Sequence, residues 1–342
     1  MSTQTTSERA QAQANGSAVA LASPDRRQTG RAPGPSAPAR AGREFTRRSA
    51  AGDVVMAYIG TQAVRLKALD PLVRGNAPDS VHRMRVATRR LRSTLQAYPA
   101  ILPKSATQHL RTELKWLGEV LGEARDDEVL SAYLLTGLAS LPAEQVLGPA
   151  QARVRAHFAP REASARDALL EALNSARYYT LVAELDRLLA DPPLTATAAE
   201  PAGKVLPRAI GRAYRRTRRR IHEAQRIAPG AGRDTALHET RKAAKRARYA
   251  AEAAQSALGK KTRRFARRMK AVQSALGDHH DAVNARAAAR EIGVRAHLAG
   301  ENAFTFGLLG ERAAHDAVGY EAKALRAWKH AKRRTVRRQL GS

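Results

Sequence analysis

The chain has 342 residues and carries 60 Lys and Arg against 31 Asp and Glu, which gives a formal net charge of +29. It has no cysteine, so disulfides, thiolate metal sites and cysteine nucleophiles are excluded. A folded body of this charge repels itself unless it meets a polyanion, and nucleic acid, an anionic membrane and polyphosphate are the candidates.

Residues 1–45 differ in composition from the rest of the chain. They are rich in Ala, Ser, Gly, Pro and Arg, and we expect them to form a disordered basic tail. Their apolar run, residues 18–22, is too short for a signal peptide, and an organelle transit peptide is disfavoured because no amphipathic helix is evident. No apolar run in the chain reaches the length of a membrane span. We therefore expect a cytoplasmic protein.

From residue 46 onward the pattern is helical almost throughout. Ala, Leu and Arg dominate, and alternating β-branched runs are absent. The strongest break, residues 191–201, contains three prolines and divides the chain into halves. We predict an all-α protein built from two pseudo-symmetric helical bundles, residues 46–195 and 196–342. Further breaks are predicted at Pro71, Pro99, Pro103, Pro142, Pro149 and Pro229.

The first half contains a helix with a one-sided cationic face. A histidine is followed by arginines at +3, +7 and +10, and at ~100° per residue these side chains share one sector of the helix. An apolar sector, drawn from residues 84–98, lies about 135° from the cationic sector around the helix axis, and we expect it to pack into a hydrophobic core. Most charge runs are ordinary solvated surfaces, but those usually alternate in sign, and this face carries no carboxylate. The pattern favours an extended anionic ligand. Its members are His82, Arg85, Arg89 and Arg92.

The second half repeats this face and its surroundings. Upstream, Ile59-Gly60 matches Ile210-Gly211, and downstream, Leu121-Gly122 matches Leu276-Gly277. We interpret the repeat as an internal duplication related by a pseudo-two-fold axis, which would bring both cationic faces into one groove. The members of the second face are His238, Arg241, Lys245 and Arg248.

The sequence indicates where both histidine helices begin. Asp79-Ser80 precedes the first and Asp234-Thr235 the second, and these are N-cap residue types. Each histidine is thus predicted in a first turn, where the helix dipole and the nearby arginines disfavour the imidazolium. We expect His82 and His238 to be neutral at pH 7 without ligand.

The doubled motif resembles the CHAD domain, an α-helical domain named after its histidines. The resemblance rests on His-x-x-Arg-x-x-x-Arg/Lys-x-x-Arg and on a following helix that ends in Leu-Gly-x-x-Arg-Asp, residues 121–126 and, more weakly, 276–281. In the second copy His280 stands where the first has Arg125, so no shared role is expected for those two. The resemblance covers about residues 46–335. It implies two similar bundles around a basic central cavity that binds inorganic polyphosphate, and an association with polyphosphate granules.

The resemblance also implies which side chains face the ligand. Both cationic faces are carried over by motif position, and matched positions on neighbouring helices add four further candidates. The predicted polyphosphate-binding set is His82, Arg85, Arg89, Arg92, His238, Arg241, Lys245, Arg248, Lys115, Lys270, Arg65 and Arg216.

Nucleic acid is the alternative ligand. Polyphosphate has no bases to read and needs closely spaced cations, preferably arginine. The chain is only 4% aromatic, which argues against single-stranded nucleic acid because its binders use stacking platforms. Non-specific binding to a duplex needs only charge and stays open.

An enzyme is the less favoured alternative, either a histidine phosphoryl acceptor or a metal-dependent phosphohydrolase. The chain has no Gly-x-x-x-x-Gly-Lys-Ser/Thr loop and no Glu-x-Glu-x-Lys strand of the CYTH-type domain that often accompanies this family. The acidic and histidine run of residues 278–281 is consecutive, so its side chains scatter, and we interpret them as salt-bridging residues. We expect no enzymatic activity, no catalytic residue, no metal and no cofactor.

Overall fold

A computed structural model describes residues 44–331. The predicted tail lies outside the described residues apart from its last two positions. Within residues 44–331 the secondary structure is helical, with one isolated β-bridge and no strand, so the all-α prediction is confirmed. The α-helices are α1 (Ala51–Arg74), α2 (Ser80–Ala97), α3 (Lys104–Ala139), α4 (Ala150–Asn174), α5 (Ala176–Ala190), α6 (Ala202–Arg226), α7 (Ala231–Ala253), α8 (Gln255–Leu258), α9 (Lys260–Leu298) and α10 (Phe304–Ala331).

Most predicted breaks separate helices. The segment of residues 191–201 connects α5 to α6 and contains a short 3-10 helix, Ala196–Ala199. The break predicted at Pro71 is wrong, because α1 continues to Arg74. A proline inside a helix removes one backbone hydrogen bond, and the last turn is retained by the Gly75 N–H, which donates to the Pro71 carbonyl at 3.0 Å.

A backbone contact marks the pseudo-two-fold relation between the halves. Ala50 and Pro201 form an antiparallel bridge, and they are separated by the same sequence offset as the matched Ile59 and Ile210. Each therefore pairs with its own counterpart, so the pseudo-two-fold axis passes between them, and α1 and α6 start side by side. The flanking bonds, themselves counterparts, are Ala51 N–H to Glu200 O at 2.9 Å and Ala202 N–H to Ser49 O at 2.8 Å.

Two hydrophobic cores take residues from both predicted halves. The larger core includes Leu91 and Leu117 from the first half with Ile210 and Met269 from the second. The smaller core joins the far ends of α3 and α9 to α4 and α10. The division at residues 195 and 196 stays a prediction. No helix of residues 44–331 combines the length and apolar character that crossing a bilayer requires.

The motif helices are longer than predicted. The Leu-Gly segments were expected to end their helices at Asp126 and Asp281, but α3 continues to Ala139 and α9 to Leu298. The reason is the smaller core, which contains apolar side chains from these extensions, among them Ile292. The motif thus lies in mid-helix, where its side chains face a neighbouring helix rather than a loop.

Candidate functional site

The two histidine helices, α2 and α7, pack directly against each other, as the duplication predicts. Their apolar sectors are buried, with Met84 and Leu91 on α2 and the smaller Ala243 and Ala247 on α7. The Tyr98 hydroxyl donates to the Ala250 carbonyl and ties the end of α2 to α7. Alanine in the α7 sector lets the two backbones lie close, so the cationic sectors of both helices come together.

Electrostatic effects show that the two cationic faces have merged. Burial, followed by the charges of Arg89, Arg241 and Arg85, lowers the pKa of Lys245 to about 6. Burial and the charge of Arg85 likewise lower the pKa of Arg89 to about 10. Cations of α2 and α7 thus repel one another across the helix contact. That repulsion is relieved when an anion enters between them.

The glycines of the Leu-Gly segments make room for two of these arginines. A Cβ added to Gly122 of α3 would lie 3.2 Å from Nη2 of Arg85, and one added to Gly277 of α9 would lie 3.3 Å from Nε of Arg241. Both contacts are tighter than ordinary van der Waals packing. The guanidinium groups therefore pass over the bare glycine backbone of the neighbouring helix. The sequence marked these glycines as part of a motif without indicating this role.

The same two arginines differ in their acidic neighbours. Arg85 forms a two-pronged ion pair with Asp126, at 2.8 and 3.3 Å, and its side chain is only 16% exposed. Arg241 has no ion pair with any described residue. Burial raises the pKa of Asp281, although the charge of Arg241 opposes that rise. The Nε atoms of both arginines are buried without a hydrogen-bond partner among residues 44–331, so each can still donate to a ligand oxygen.

The two histidines occupy different environments. His82 is exposed in the first turn of α2, whereas His238 is half-buried with its ring 4.2 Å from that of His280. Burial, and then the charges of His280 and nearby cations, lower the pKa of His238 to about 4. This agrees with the expectation of a neutral imidazole at pH 7. The buried Nδ1 of His238 has no hydrogen-bond partner within the described part of the chain.

The predicted start of the second histidine helix is wrong. The helix α7 begins at Ala231, so Asp234 lies in its first turn and His238 in its second. Gly230 precedes the helix with a φ of 138°, a conformation that glycine adopts readily, and the chain therefore enters the helix earlier than the Asp234-Thr235 pair indicated. Asp79 occupies the N-cap position of α2 as predicted, but its side chain makes no capping hydrogen bond.

Arg92 and Arg248 hold matched positions but have different partners. Arg248 binds Glu252 at 2.6 Å and donates to Gln273 at 3.2 Å. Glu252 also accepts from Arg90 at 3.2 Å, so this carboxylate links α2 to α7. Four residues after Arg92 the chain has Gln96 instead, and the buried Nε of Arg92 has no partner among the described residues. The structure thus gives Arg248 an internal role and leaves Arg92 free to bind a ligand.

The other four predicted residues lie at the surface. Lys115 on α3 pairs with Glu119 at 3.2 Å, and Lys270 lies at the matched position on α9. Arg65 is exposed on α1, and Arg216 on α6 lines a cavity beside α2 and α7. Sequence reasoning missed the arginines that accompany Arg216. Their spacing of three or four residues, which puts them on one face of α6, could have identified them: Arg212, Arg215 and Arg219.

The acidic and histidine run on α9 was expected to cap a helix or to form salt bridges with arginines, and its contacts among the described residues are different. Asp278 lies 3.4 Å from Nζ of Lys323, and His279 lies 3.4 Å from the carboxylate of Asp234. Among residues 44–331, no group of three or more histidine, aspartate or glutamate side chains is arranged to hold a metal ion.

Comparisons with known proteins agree with this architecture. The family model described as the CHAD domain matches residues 57–290. Two uncharacterized proteins of Mycobacterium tuberculosis, from strains H37Rv and CDC 1551, are each 36% identical over 265 residues, which is 77% of this chain and 50% of the relative. The chain therefore spans about half the length of these curated relatives.

Solved structures show the same fold. PptA from Streptomyces chartreusis superposes with a TM-score of 0.69 at 22% identity, covering 82% of this chain and 100% of that one. The CHAD domain from the plant Ricinus communis superposes with a TM-score of 0.59 at 26% identity, covering 90% of this chain and 97% of that one.

Proposed function

Because this chain belongs to the CHAD domain family, we propose that it binds inorganic polyphosphate along the joined cationic faces of α2 and α7. The observation that carries the proposal is the packing of the two faces against each other. This packing lowers the pKa of Lys245 to about 6 through burial and the charges of Arg89, Arg241 and Arg85. Such a cluster is unfavourable alone and is stabilised by an extended anion.

Each residue type contributes in its own way. Arg89 and Arg241 supply planar forks that can each bind two phosphate oxygens. The fork of Arg85 already binds Asp126, and its Nε is the nitrogen without a partner among residues 44–331. Lys245 gains its charge as the ligand enters, because a nearby phosphate raises the pKa of the ammonium group. His238 donates a hydrogen bond from its neutral ring. Arg92 and His82 complete the α2 side. We leave Arg248 out of this set because Glu252 already binds it.

The shape of the site favours polyphosphate over duplex DNA. Arg85, Arg89 and Lys245 are all partly buried where two helices meet. A single thread of phosphates can reach these cations, whereas a duplex displays its phosphates on a wide cylinder and meets exposed cations first. The large aromatic side chain beside these cations, Tyr249, is itself buried and offers no stacking surface to a base.

A competition experiment tests the proposal. At physiological salt, long-chain polyphosphate should displace bound duplex DNA at equal phosphate concentration. Changing Arg89→Gln together with Lys245→Gln should weaken polyphosphate binding by roughly 100-fold, since two buried charge-assisted contacts are lost. Binding of DNA should change far less, and circular dichroism should stay helical.

The matched control removes two exposed charges of α6 that do not line the cavity beside α2 and α7, Arg208→Gln with Arg218→Gln. This variant should bind polyphosphate and duplex DNA slightly more weakly than the wild-type protein, by the same factor for both. Two outcomes would indicate a general nucleic-acid binder instead. One is that DNA displaces polyphosphate; the other is that the control variant loses as much affinity for polyphosphate as the Arg89→Gln, Lys245→Gln variant does.

The proposed role is non-enzymatic and includes targeting to intracellular polyphosphate granules. Polyphosphate incubated with the protein and Mg²⁺ or Mn²⁺ should keep its length distribution. Shortening that disappears in a variant with His82→Ala and His238→Ala would contradict this role. In cells, a fluorescent fusion should colocalise with granules and lose that pattern with the Arg89→Gln, Lys245→Gln change.

A further inference from the structure

A cavity of about 880 Å³ lies beside the joined cationic faces. Its walls come from the end of α2, the start of α3, and the middle of α6 and α7. Every charged side chain that lines it is a cation. Arg111 and Arg246 are half-buried in it, and exposed side chains, mainly from α6, surround them. The exposed cations are Lys104, Arg212, Arg215, Arg216 and Arg219.

The cavity is electrostatically continuous with the polyphosphate site. Arg246 directly follows Lys245 on α7, and burial together with the charges of Arg216 and Arg92 lowers its pKa. Burial lowers the pKa of Arg92 as well; the carboxylate of Glu119 opposes that effect, and Arg111 of the cavity adds to it. Arg92 of the α2 face therefore lies close enough to the cavity to feel the charge of Arg111, and the next residue, Ser93, lines the cavity. A phosphate chain lying along the α2 face reaches these cations without crossing a carboxylate that lines the cavity.

All but one of the cavity cations lack an ion-pair partner among the residues that the structure describes. Among residues 44–331, Arg219 forms an ion pair with Glu223 at 3.6 Å, and no carboxylate lies within ion-pair distance of the other cavity cations. The Nε atoms of Arg111 and Arg92 are buried without a hydrogen-bond partner in the same range. Buried donors of this kind are costly unless something accepts from them.

The matched position on the other side of the pseudo-two-fold axis is closed. There Glu252 replaces Gln96, and it holds Arg90 and Arg248 in ion pairs at 3.2 and 2.6 Å. The Tyr58 hydroxyl also donates to Glu252, so this carboxylate is fully engaged. Four of the positions that match cavity arginines carry no charge: Thr61 for Arg212, Val64 for Arg215, Ala68 for Arg219 and Ala266 for Arg111. The other two are charged: Arg65 matches Arg216, and Arg90, which Glu252 binds, matches Arg246.

We infer that a polyphosphate chain too long for the α2 and α7 faces leaves them through this cationic cavity, in one direction, because the Glu252 ion pairs close the matched exit. The inference rests on the proposed function and deepens it. The cavity would act as a subsite for long chains, and a short chain would occupy the helix faces alone.

Comparison of two chain lengths tests the inference. Changing Arg212→Gln with Arg216→Gln should weaken binding of long-chain polyphosphate about tenfold, as expected for two exposed phosphate contacts. Binding of tripolyphosphate should change by less than about twofold, since it does not reach the cavity. The control, Arg208→Gln with Arg218→Gln on the same helix, should leave the ratio of the two affinities at the wild-type value.

A second variant tests whether long chains leave the helix faces on the side of the cavity. Gln96→Glu places a carboxylate at the position that matches Glu252, where it should pair with Arg92 or Arg246 and weaken long-chain binding more than tripolyphosphate binding. The inference would be overturned by equal losses of affinity for long-chain polyphosphate and tripolyphosphate, or by no loss of affinity in either variant. The proposed function would survive that result as long as the wild-type protein still prefers polyphosphate to DNA. Loss of that preference in the wild-type protein would instead overturn the proposed function.

Discussion

Arg92 and Arg248 hold the same position in two copies of one motif, yet their surroundings are opposite. Arg248 is held by Glu252 at 2.6 Å, whereas the buried Nε of Arg92 has no partner among residues 44–331. The difference arises four residues downstream, where Gln96 stands in one copy and Glu252 in the other. A repeated motif therefore does not give two equal halves of a site. One residue outside the motif decides whether this arginine is held in an ion pair or keeps a buried Nε without a partner among the described residues.

Among the single substitutions, the largest expected effect on binding comes from removing Arg92, and Arg248 is removed separately for comparison. Arg92→Met should weaken polyphosphate binding about tenfold, the loss of one charge-assisted contact, and leave the free energy of unfolding unchanged or raised. Arg248→Met should leave binding nearly unchanged but lower the free energy of unfolding by about 1–3 kcal/mol, because Glu252 loses a buried partner. Titration with polyphosphate and urea denaturation measure the two effects.

Because the two substitutions are chemically identical, each serves as the control for the other. If Arg248→Met weakens binding as much as Arg92→Met and does not destabilise the fold, then Glu252 does not withdraw Arg248 from the ligand. The two copies would then be functionally equivalent, and the one-sided exit would lose its basis.

A second comparison concerns Arg89 and Lys245, which also hold matched positions. The pKa of Arg89 is about 10, so it stays charged near neutral pH, whereas the pKa of Lys245 is about 6 and most of it is neutral at pH 7. Bound polyphosphate raises the pKa of Lys245. At any pH between the pKa values of the free and the bound protein, binding is therefore accompanied by the uptake of a proton. Affinity for long-chain polyphosphate should therefore rise severalfold as the pH falls from about 8 to about 6.

Lys245→Arg provides the control, because arginine keeps its charge across this range. The variant should bind polyphosphate with a nearly flat pH profile between pH 6 and 8. The pKa of His238 without ligand is lower, about 4, so its contribution is centred at lower pH than that of Lys245. A pH dependence that persists in Lys245→Arg would assign the proton uptake to another group.

The sequence was sufficient to predict the fold class and the meeting of the two cationic faces, because helical periodicity and the duplication determine both. The ion pair of Arg248 with Glu252 is an i,i+4 contact within α7 and could have been read from the sequence, whereas the contact of Glu252 with Arg90 depends on how α2 and α7 pack. The early start of α7 was hidden by a second good N-cap candidate at Asp234. The α6 arginines were visible as a spacing pattern, but their role depends on a cavity formed by four helices.

The smallest expected effect separates the two glycine contacts. Gly122→Ala and Gly277→Ala both replace helical glycine, which by itself should stabilise the fold by about 0.5–1 kcal/mol. The new Cβ, however, would lie 3.2 Å from Arg85 or 3.3 Å from Arg241 and displace the guanidinium group from its position over the neighbouring helix. We expect each variant to bind polyphosphate roughly two- to threefold more weakly, less than the loss of a whole contact.

The two variants should differ in stability. Arg85 is held by its ion pair with Asp126, so Gly122→Ala strains that pair and stabilises the fold only slightly. Arg241 has no ion pair with a described residue and can move aside, so Gly277→Ala should stabilise the fold more. Gly118→Ala is the control on α3, because its Cβ would lie an ordinary 3.7 Å from Thr88, and it should stabilise the fold without changing affinity. Thermal denaturation and polyphosphate titration of all three variants distinguish these cases. Equal affinities in Gly118→Ala, Gly122→Ala and Gly277→Ala would mean that the glycines serve helix packing alone and that the Leu-Gly segments do not position the arginines.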